Sequence, residues 1–375
     1  MSLAIKTRRS WVEIDLNQIV ENCNIYKEHL PNGAQIIAVV KADAYGHGDV
    51  RVAQILQRNG INYFAVSNID EGVKLRISGI EGEILILGYT PKENFEDLSK
   101  FDLTQTLLSC EYADLAVASG FDFKCQFAID TGMNRIGLDG DDPKECERII
   151  REYNGKLNIN GVFTHLSSAD LSDEDSVEFT KEQIAKFDKI EKLISDLNFP
   201  YVHCMNSAGG IYHGGKKLVR LGIVLYGLKF NYKKALPDGI VPALTWKTVV
   251  SMVKKIKRGE SVGYGRTFVA KREMWLATLS VGYADGYRRD LSNRGYVLFD
   301  GEKLPIVGRV CMDQMTVDIS ALIEKGKEIQ IGDEVILLGQ SGNESFTADD
   351  MAKTVGTIGH DILCGISSRV ERVYL

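Results

Sequence analysis

Ala38-Val39-Val40-Lys41-Ala42-Asp43-Ala44-Tyr45-Gly46-His47-Gly48 is the stretch around which the rest of the chain is organised. Ile36 to Val40 is a short apolar, partly β-branched run of the kind that forms a buried strand. Lys41 stands where that run ends, and Tyr45 follows four residues on. Gly46 and Gly48 let the backbone turn before a helical pattern from Val50 to Gln57. A lysine at the mouth of a buried strand has its stem in a low-dielectric place, which favours the neutral amine. A neutral amine can attack an aldehyde and form a Schiff base. The plainer reading of a lone lysine is a side chain that snorkels to water.

Outward from this stretch, strands and helices alternate. Trp11 to Asp15 alternates like a strand, and Leu16 to Leu30 repeats apolar residues at helical spacing behind Asp15 as N-cap. Strands are expected at Tyr63 to Val66, Ile84 to Leu87, Thr104 to Leu108, Phe123 to Ile129, Leu157 to Phe163 and Tyr201 to Met205. Helices are expected at Ile69 to Ile77, Phe95 to Leu98, Asp142 to Tyr153 and Glu178 to Leu197. Such alternation implies a parallel sheet, and the number of units favours a closed (β/α)8 TIM-type barrel over an open doubly wound sheet. Past Tyr226-Gly227-Leu228, Asn231 to Gly239 is polar and turn-prone, a linker. From Ala243 the runs are shorter and richer in Val, with turns at Asp300-Gly301 and Gly332-Asp333, a mainly-β signature with one helical insertion near Ala348 to Thr354. The α/β fold class is therefore a barrel over residues 1–240 and a C-terminal β-domain over 241–375.

Composition narrows the function classes. The chain has 375 residues, 44% hydrophobic and 26% charged, with a formal net charge of -6, which argues against a nucleic-acid footprint. No run approaches the roughly 20 apolar residues of a membrane span. The start lacks a signal-peptide pattern. Seven cysteines without any C-x-x-C spacing suit a reducing cytoplasm and give no metal site.

Candidate chemistry clusters at strand ends, where barrel active sites sit. Arg135, in Asp130-Thr-Gly-Met-Asn-Arg135-Ile-Gly137, offers a fork suited to planar oxyanions; the alternative is a solvated turn. His165, in Thr164-His165-Leu-Ser-Ser-Ala-Asp170, could stack on a ring or orient a neighbour, or be a satisfied core histidine. Ser207, in Asn206-Ser207-Ala-Gly-Gly210, and the run Arg220-Leu-Gly222-Ile223 together look like a phosphate cradle of turn amides beside an arginine. In the β-domain, Tyr264 stands between Gly263 and Gly265, while Tyr283, Met312 and Asp313 lie in strand-turn segments whose plainer reading is hairpin chemistry.

In order, the lysine segment, DTGM-x-R-x-G, THL-x-x-AD, NSA, VR-x-GI-x-x-YG, GYG-x-T, GYADGY and VGR-x-CMDQ resemble the motifs of alanine racemases, from Trp11 to Tyr374. The resemblance implies a pyridoxal 5'-phosphate (PLP) barrel plus β-domain, working as a head-to-tail homodimer with shared active sites. It implies PLP on Lys41, which is also one racemisation base, and Tyr264 of the partner subunit as the base on the opposite face. Arg220 would meet the pyridine nitrogen, with His165 beside the ring and Arg135 at the phenolic oxygen or the substrate carboxylate. Tyr45, Ser207, Gly222 and Ile223 would hold the phosphate. Met312 and Asp313 of the partner subunit would line the substrate pocket, with Tyr283 near its entrance. A tyrosine base, ordinarily near ~10, needs cationic or dipolar neighbours at neutral pH.

The implied activity is interconversion of L- and D-alanine by two bases, supplying D-alanine for peptidoglycan in the cytoplasm, without metal, membrane or nucleic acid. Two positions depart from the family pattern. Many members carry a lysine, often carbamylated, where this chain has Ala128, leaving the place beside Arg135 to a bound chloride or another acid. Many carry a tyrosine near the C-terminus that touches phosphate and base; aligning Gly356 to Cys364 puts His360 there, among the cofactor-binding residues. These departures keep serine, alanine with serine, or larger amino acids open as substrates. Barrel PLP decarboxylases carry a cysteine-bearing acid motif not found here, and the small PLP-homeostasis barrel proteins lack the β-domain.

Overall fold

The computed structural model describes residues 8–375 apart from 215, 232 and 233. The start of the chain, expected to carry no signal peptide, and two residues of the expected linker lie outside them. Two compact units are present, Ile19–Ile240 and Val241–Leu375, the latter together with the residues up to Gln18.

Among the described residues, the main path of the first unit's sheet has eight parallel strands, Gln35–Val39, Tyr63–Val66, Glu83–Ile86, Thr104–Leu107, Lys124–Asp130, Asn158–Phe163, Tyr201–His203 and Leu218–Leu221, with the two-residue Leu138–Asp139 paired in parallel beside Lys124–Asp130. Leu218–Leu221 pairs with the first of these in parallel, Leu218 opposite Gln35 and Leu221 opposite Ala38. A parallel bridge from Met205 to Val219, with the Arg220 N–H donating to the Met205 carbonyl at 3.0 Å, joins it to the other edge. The sheet therefore closes into the expected barrel. Strands such as Tyr63–Val66 and Leu218–Leu221 are buried along their whole length, which is why they read as continuous runs without alternation. Strand crowding also dictates composition: a Cβ at Gly161 would stand 2.1 Å from the Tyr201 carbonyl oxygen.

The intervening helices begin where a short polar side chain takes an orphan N–H. Asn68 accepts from Glu71, Ser109 from Tyr112, Asp142 from Glu145 ahead of Pro143, and Asp173 from Ser176. The barrel interior is partly polar, and several of its polar side chains pair with one another. Gln126 donates to the Tyr63 hydroxyl at 2.7 Å and faces His203 Nε2 across 3.0 Å.

In the second unit the 13-residue strand Leu244–Ile256 pairs with Glu334–Ser341 and with Met274–Leu279. It also pairs antiparallel with Ser10–Ile14, whose other neighbour is the parallel strand Glu371–Tyr374. The first strand thus belongs to the β-rich unit, a correction to the expected barrel boundary at residue 1. The physical reason is burial: Trp11, Val12 and Ile14 are buried in a five-residue strand that needs neighbours on both edges. The expected helical insertion is present as Ala348–Val355, started by a reciprocal cap between Thr347 and Asp350. A second short helix, Gly359–Cys364, follows it unexpectedly.

Candidate active site

Lys41 closes the strand Gln35–Val39 as expected, but the chain does not then simply enter a helix. Ala42, Asp43, Ala44 and Tyr45 have φ of 54°, 53°, 52° and 52°, one turn of left-handed helix made without glycine. Each such residue costs roughly 1–2 kcal/mol relative to the right-handed form, so the turn persists only because its surroundings over-determine it. The Ala44 N–H donates to the Val40 carbonyl at 2.9 Å and the Gly46 N–H to that of Ala42 at 3.1 Å. Outside the turn, the Glu71 carboxylate accepts the Ala42 N–H at 2.8 Å. Lys74 reaches Asp49 at 2.6 Å and Asp43 at 3.5 Å. Tyr226 lies 5.1 Å from the Tyr45 ring and 4.5 Å from His47, and its hydroxyl donates to the Val39 carbonyl at 2.9 Å.

The same turn delivers Tyr45 to a second cluster. Ser207 Oγ accepts the Gly222 N–H at 3.0 Å. A Cβ on Gly222 would fall 3.0 Å from the Tyr45 hydroxyl and 3.9 Å from Ser207 Oγ, so this cradle admits only glycine without displacement. Ile223 opens the next turn, Ile223–Tyr226. Asn206 fastens this cluster by accepting the Gly209 N–H at 2.8 Å and donating to the Leu166 carbonyl at 3.1 Å.

Arg220, from the strand Leu218–Leu221, is buried beside the cradle. Through Nη2 it donates to the Thr164 carbonyl at 2.7 Å, the Cys204 carbonyl at 3.1 Å and His165 Nδ1 at 3.2 Å. Through Nη1 it donates to His203 Nδ1 at 2.5 Å. No described residue accepts from its Nε–H. Burial lowers its pKa to about 10, so it stays protonated at neutral pH. Burial, and then the charges of Arg220, Arg135 and Lys41, push His165 down to about 3. The Arg220 and Arg135 guanidiniums therefore act on a neutral imidazole, a field suited to an anionic ligand. Arg135 is exposed on a turn shaped by Asp130, whose carboxylate accepts the Gly132 and Asn134 N–H groups at 2.9 and 3.0 Å. Ala128, behind it, is buried in the barrel wall.

Sequence reasoning missed the residues that hold these groups. Gln183, on the helix Glu174–Leu193, accepts the Ser167 N–H at 3.1 Å and donates to the His165 carbonyl and to Thr131 Oγ1, each at 3.3 Å. Glu71 and Gln183 carry no local signal, because each acts on segments distant in sequence.

The remaining expected residues belong to the second unit. Tyr264 tips a hairpin between Ser261–Val262 and Phe268–Val269, with Gly263 and Gly265 at φ 71° and 72°. Ile256, Val262, Ala270, Met274, Leu276 and Val307 pack beneath it, yet Tyr264 itself is 72% exposed. The Arg309 guanidinium packs against its turn, 3.6 Å from where a Cβ on Gly265 would stand. Tyr283 and Met312 are also exposed and are brought together by backbone bonds. Tyr283 N–H donates to the Cys311 carbonyl and Ala284 N–H to that of Met312, both at 3.0 Å. Arg369 pairs with Asp313 at 2.7 Å and lies 3.7 Å from buried Asp285, which also pairs with Arg9. His360 is half-buried on the helix Gly359–Cys364; the C-terminal residue that reaches Asp313 is Arg369, beyond that helix.

Residues 14–230 match the family model "Alanine racemase, N-terminal domain" and residues 243–374 the model "Alanine racemase, C-terminal domain". The alanine racemase of Halothermothrix orenii is 41% identical over 380 residues, 98% of this chain and 97% of that protein. The solved alanine racemase of Clostridium difficile 630 is similar with a TM-score of 0.89 and 36% identity, covering 99% of this chain and 96% of that one. That of Bacillus anthracis, with bound L-Ala-P, has a TM-score of 0.90 and 34% identity over the same shares, 99% and 96%.

Proposed function

The chain belongs to the alanine racemase family, and from that premise we propose that it interconverts L- and D-alanine with PLP as cofactor. The observation that carries the reading is the convergence of Lys41, Tyr45, Ser207, Gly222 and Arg220 at the carboxyl ends of the barrel strands. The fit to PLP rests on the cradle: a phosphate needs backbone and hydroxyl donors with no side chain in the way, and the space between Tyr45, Ser207 and Gly222 is one a single Cβ would fill.

When bound, PLP supplies the electron sink that makes the substrate's α-proton acidic. The protein's residues supply the rest. Lys41 would hold the cofactor covalently, and its amine would take or return the α-proton on one face. Arg220 has committed both Nη atoms to protein acceptors, so its Nε–H is the donor left for the pyridine nitrogen. A guanidinium is a donor only, so a pyridine nitrogen held there would stay unprotonated and the group would be a weaker electron sink, which would restrain side reactions such as transamination. His165, neutral with its Nδ1 lone pair toward Arg220, presents Nε2–H and an apolar ring face. Arg135 is the cation for the substrate carboxylate or the phenolic oxygen. Tyr264 is the base for the opposite face; a proton taken on one side and returned on the other inverts the α-carbon. Its exposure on its own unit suits delivery to the site of a second copy, with Tyr283, Met312 and Asp313 arriving beside it.

Incubating the full chain and PLP with L-alanine and, separately, L-serine and L-lysine, then resolving products on a chiral column, tests this reading. D-Alanine is expected as the fastest product. Faster conversion of serine or lysine would replace the substrate assignment, and no D-amino acid from any of them would refute the activity.

A further inference from the structure

We propose that Glu71, with Lys74 one helical turn later, is a positioning residue: together they hold the left-handed turn Ala42–Tyr45 in the shape that sets Lys41 against Tyr45. The inference rests on the reading of Lys41 and Tyr45 as ligands of the two ends of one cofactor. The turn is the spacer between those ends, so its shape fixes whether one molecule can engage both.

The turn's own hydrogen bonds use the N–H groups of Ala44 and Gly46. The Ala42 N–H, at the first left-handed residue, is satisfied from outside by Glu71 Oε1 at 2.8 Å. The other oxygen of the same carboxylate accepts the Ser67 N–H at 2.6 Å, just past the neighbouring strand Tyr63–Val66. One side chain thus ties together the exits of two adjacent barrel strands. Its helix does not need it as a cap, because Asn68 Oδ1 already accepts the Glu71 N–H at 3.0 Å. Lys74, on the same face three residues later, bridges Asp49 at 2.6 Å and Asp43 at 3.5 Å, and Asp43 Oδ1 accepts the Asp49 N–H at 3.2 Å. The near side of the turn is therefore held by an anion and the far side by a cation, both from Ile69–Ile77. A carboxylate is the side chain that offers an acceptor to each of two N–H groups; glutamine would set an NH2 against one of them.

The test uses the full chain as wild type, Glu71→Gln, Glu71→Asp and Lys74→Met, each stripped of cofactor and retitrated with PLP. The readouts are the rate of PLP capture by visible absorbance, the lysine labelled after borohydride reduction, thermal unfolding of the apo chain, and KM against kcat for alanine. Glu71→Gln is expected to capture PLP about tenfold more slowly and to lose about tenfold in kcat with KM within about twofold, since misplacement by ~1 Å costs up to about 10²-fold. Lys74→Met should shift the same readouts in the same direction, and Glu71→Asp should recover part of the loss. Capture and kcat unchanged in both folded Glu71→Gln and Lys74→Met overturn the proposal. If Glu71→Gln does not fold, Lys74→Met decides by the same readouts. A wild type that takes up no PLP overturns the cofactor reading itself, an outcome separate from the variants' behaviour.

Discussion

Arg220 donates to two imidazoles at once, and this fixes the protonation of both. His165 and His203 each turn Nδ1 toward the guanidinium and keep the proton on Nε2. Burial and then the Arg220 charge lower both, His165 to about 3 and His203 well below its ordinary value. In the unfolded chain both rings titrate near ~6.5. Below that pH the unfolded state binds protons that the folded state refuses, so stability falls as pH falls from ~6.5 toward about 3. Urea unfolding at pH 7, 6 and 5 should therefore show a declining free energy. His165→Asn should flatten the decline by up to ~1.4 kcal/mol per pH unit. A slope identical to wild type would place the titration elsewhere. At Lys41, replacement by Ala should abolish the cofactor's visible absorbance together with racemisation; a borohydride-reducible adduct surviving on another lysine would contradict the assignment.

Among elements, the cradle is the most sharply testable. Gly222→Ala drives a Cβ to 3.0 Å from the Tyr45 hydroxyl. It should weaken PLP binding by about 10- to 100-fold, which is ~1.4 to 2.7 kcal/mol, while leaving the apo unfolding midpoint within a few degrees. Fluorescence titration of apo chain with PLP measures this, and an unchanged affinity would remove Gly222 from the phosphate site. The strand Tyr63–Val66 and the helix Ile69–Ile77 have the bounds that their residue patterns imply, because apolar period and an Asn cap are local signals. The place of Lys41 past a strand end and of Tyr264 between two turn glycines was legible too, while the roles assigned to them came with the family resemblance. The left-handed turn was not, since Ala-Asp-Ala-Tyr has no preference for positive φ and adopts it only under outside constraint. Leu218–Leu221 was legible as chemistry but not as the closing strand, because four residues carry too little period. Gln183, Glu71 and the Arg9–Asp285–Arg369–Asp313 chain of ion pairs join segments far apart in sequence, which no window of residues can display.

For the whole molecule, the racemase reading requires two faces of the substrate to meet bases from different parts of the chain. If Tyr264 serves a partner's site, Lys41→Ala and Tyr264→Phe chains, each inactive, should regain activity when mixed under subunit exchange, because a mixed dimer keeps one site with both bases. The ceiling is about a quarter of wild-type activity, since half of random dimers are mixed and half of their sites are intact. Proven exchange without recovery would count against shared sites. The division into units also bears on how such a chain is made. Ser10–Ile14 lies between Leu244–Ile256 and Glu371–Tyr374, so it finds one edge partner only after some 360 further residues have been synthesised, roughly the span from residue 14 to residue 374. The barrel residues between can collapse while still attached to the ribosome, but this strand waits with its N–H and C=O row unpaired. A pause in translation late in the message would lengthen that wait, and the apolar Trp11-Val12-Glu13-Ile14 segment would be the stretch that a nascent-chain chaperone has to shield.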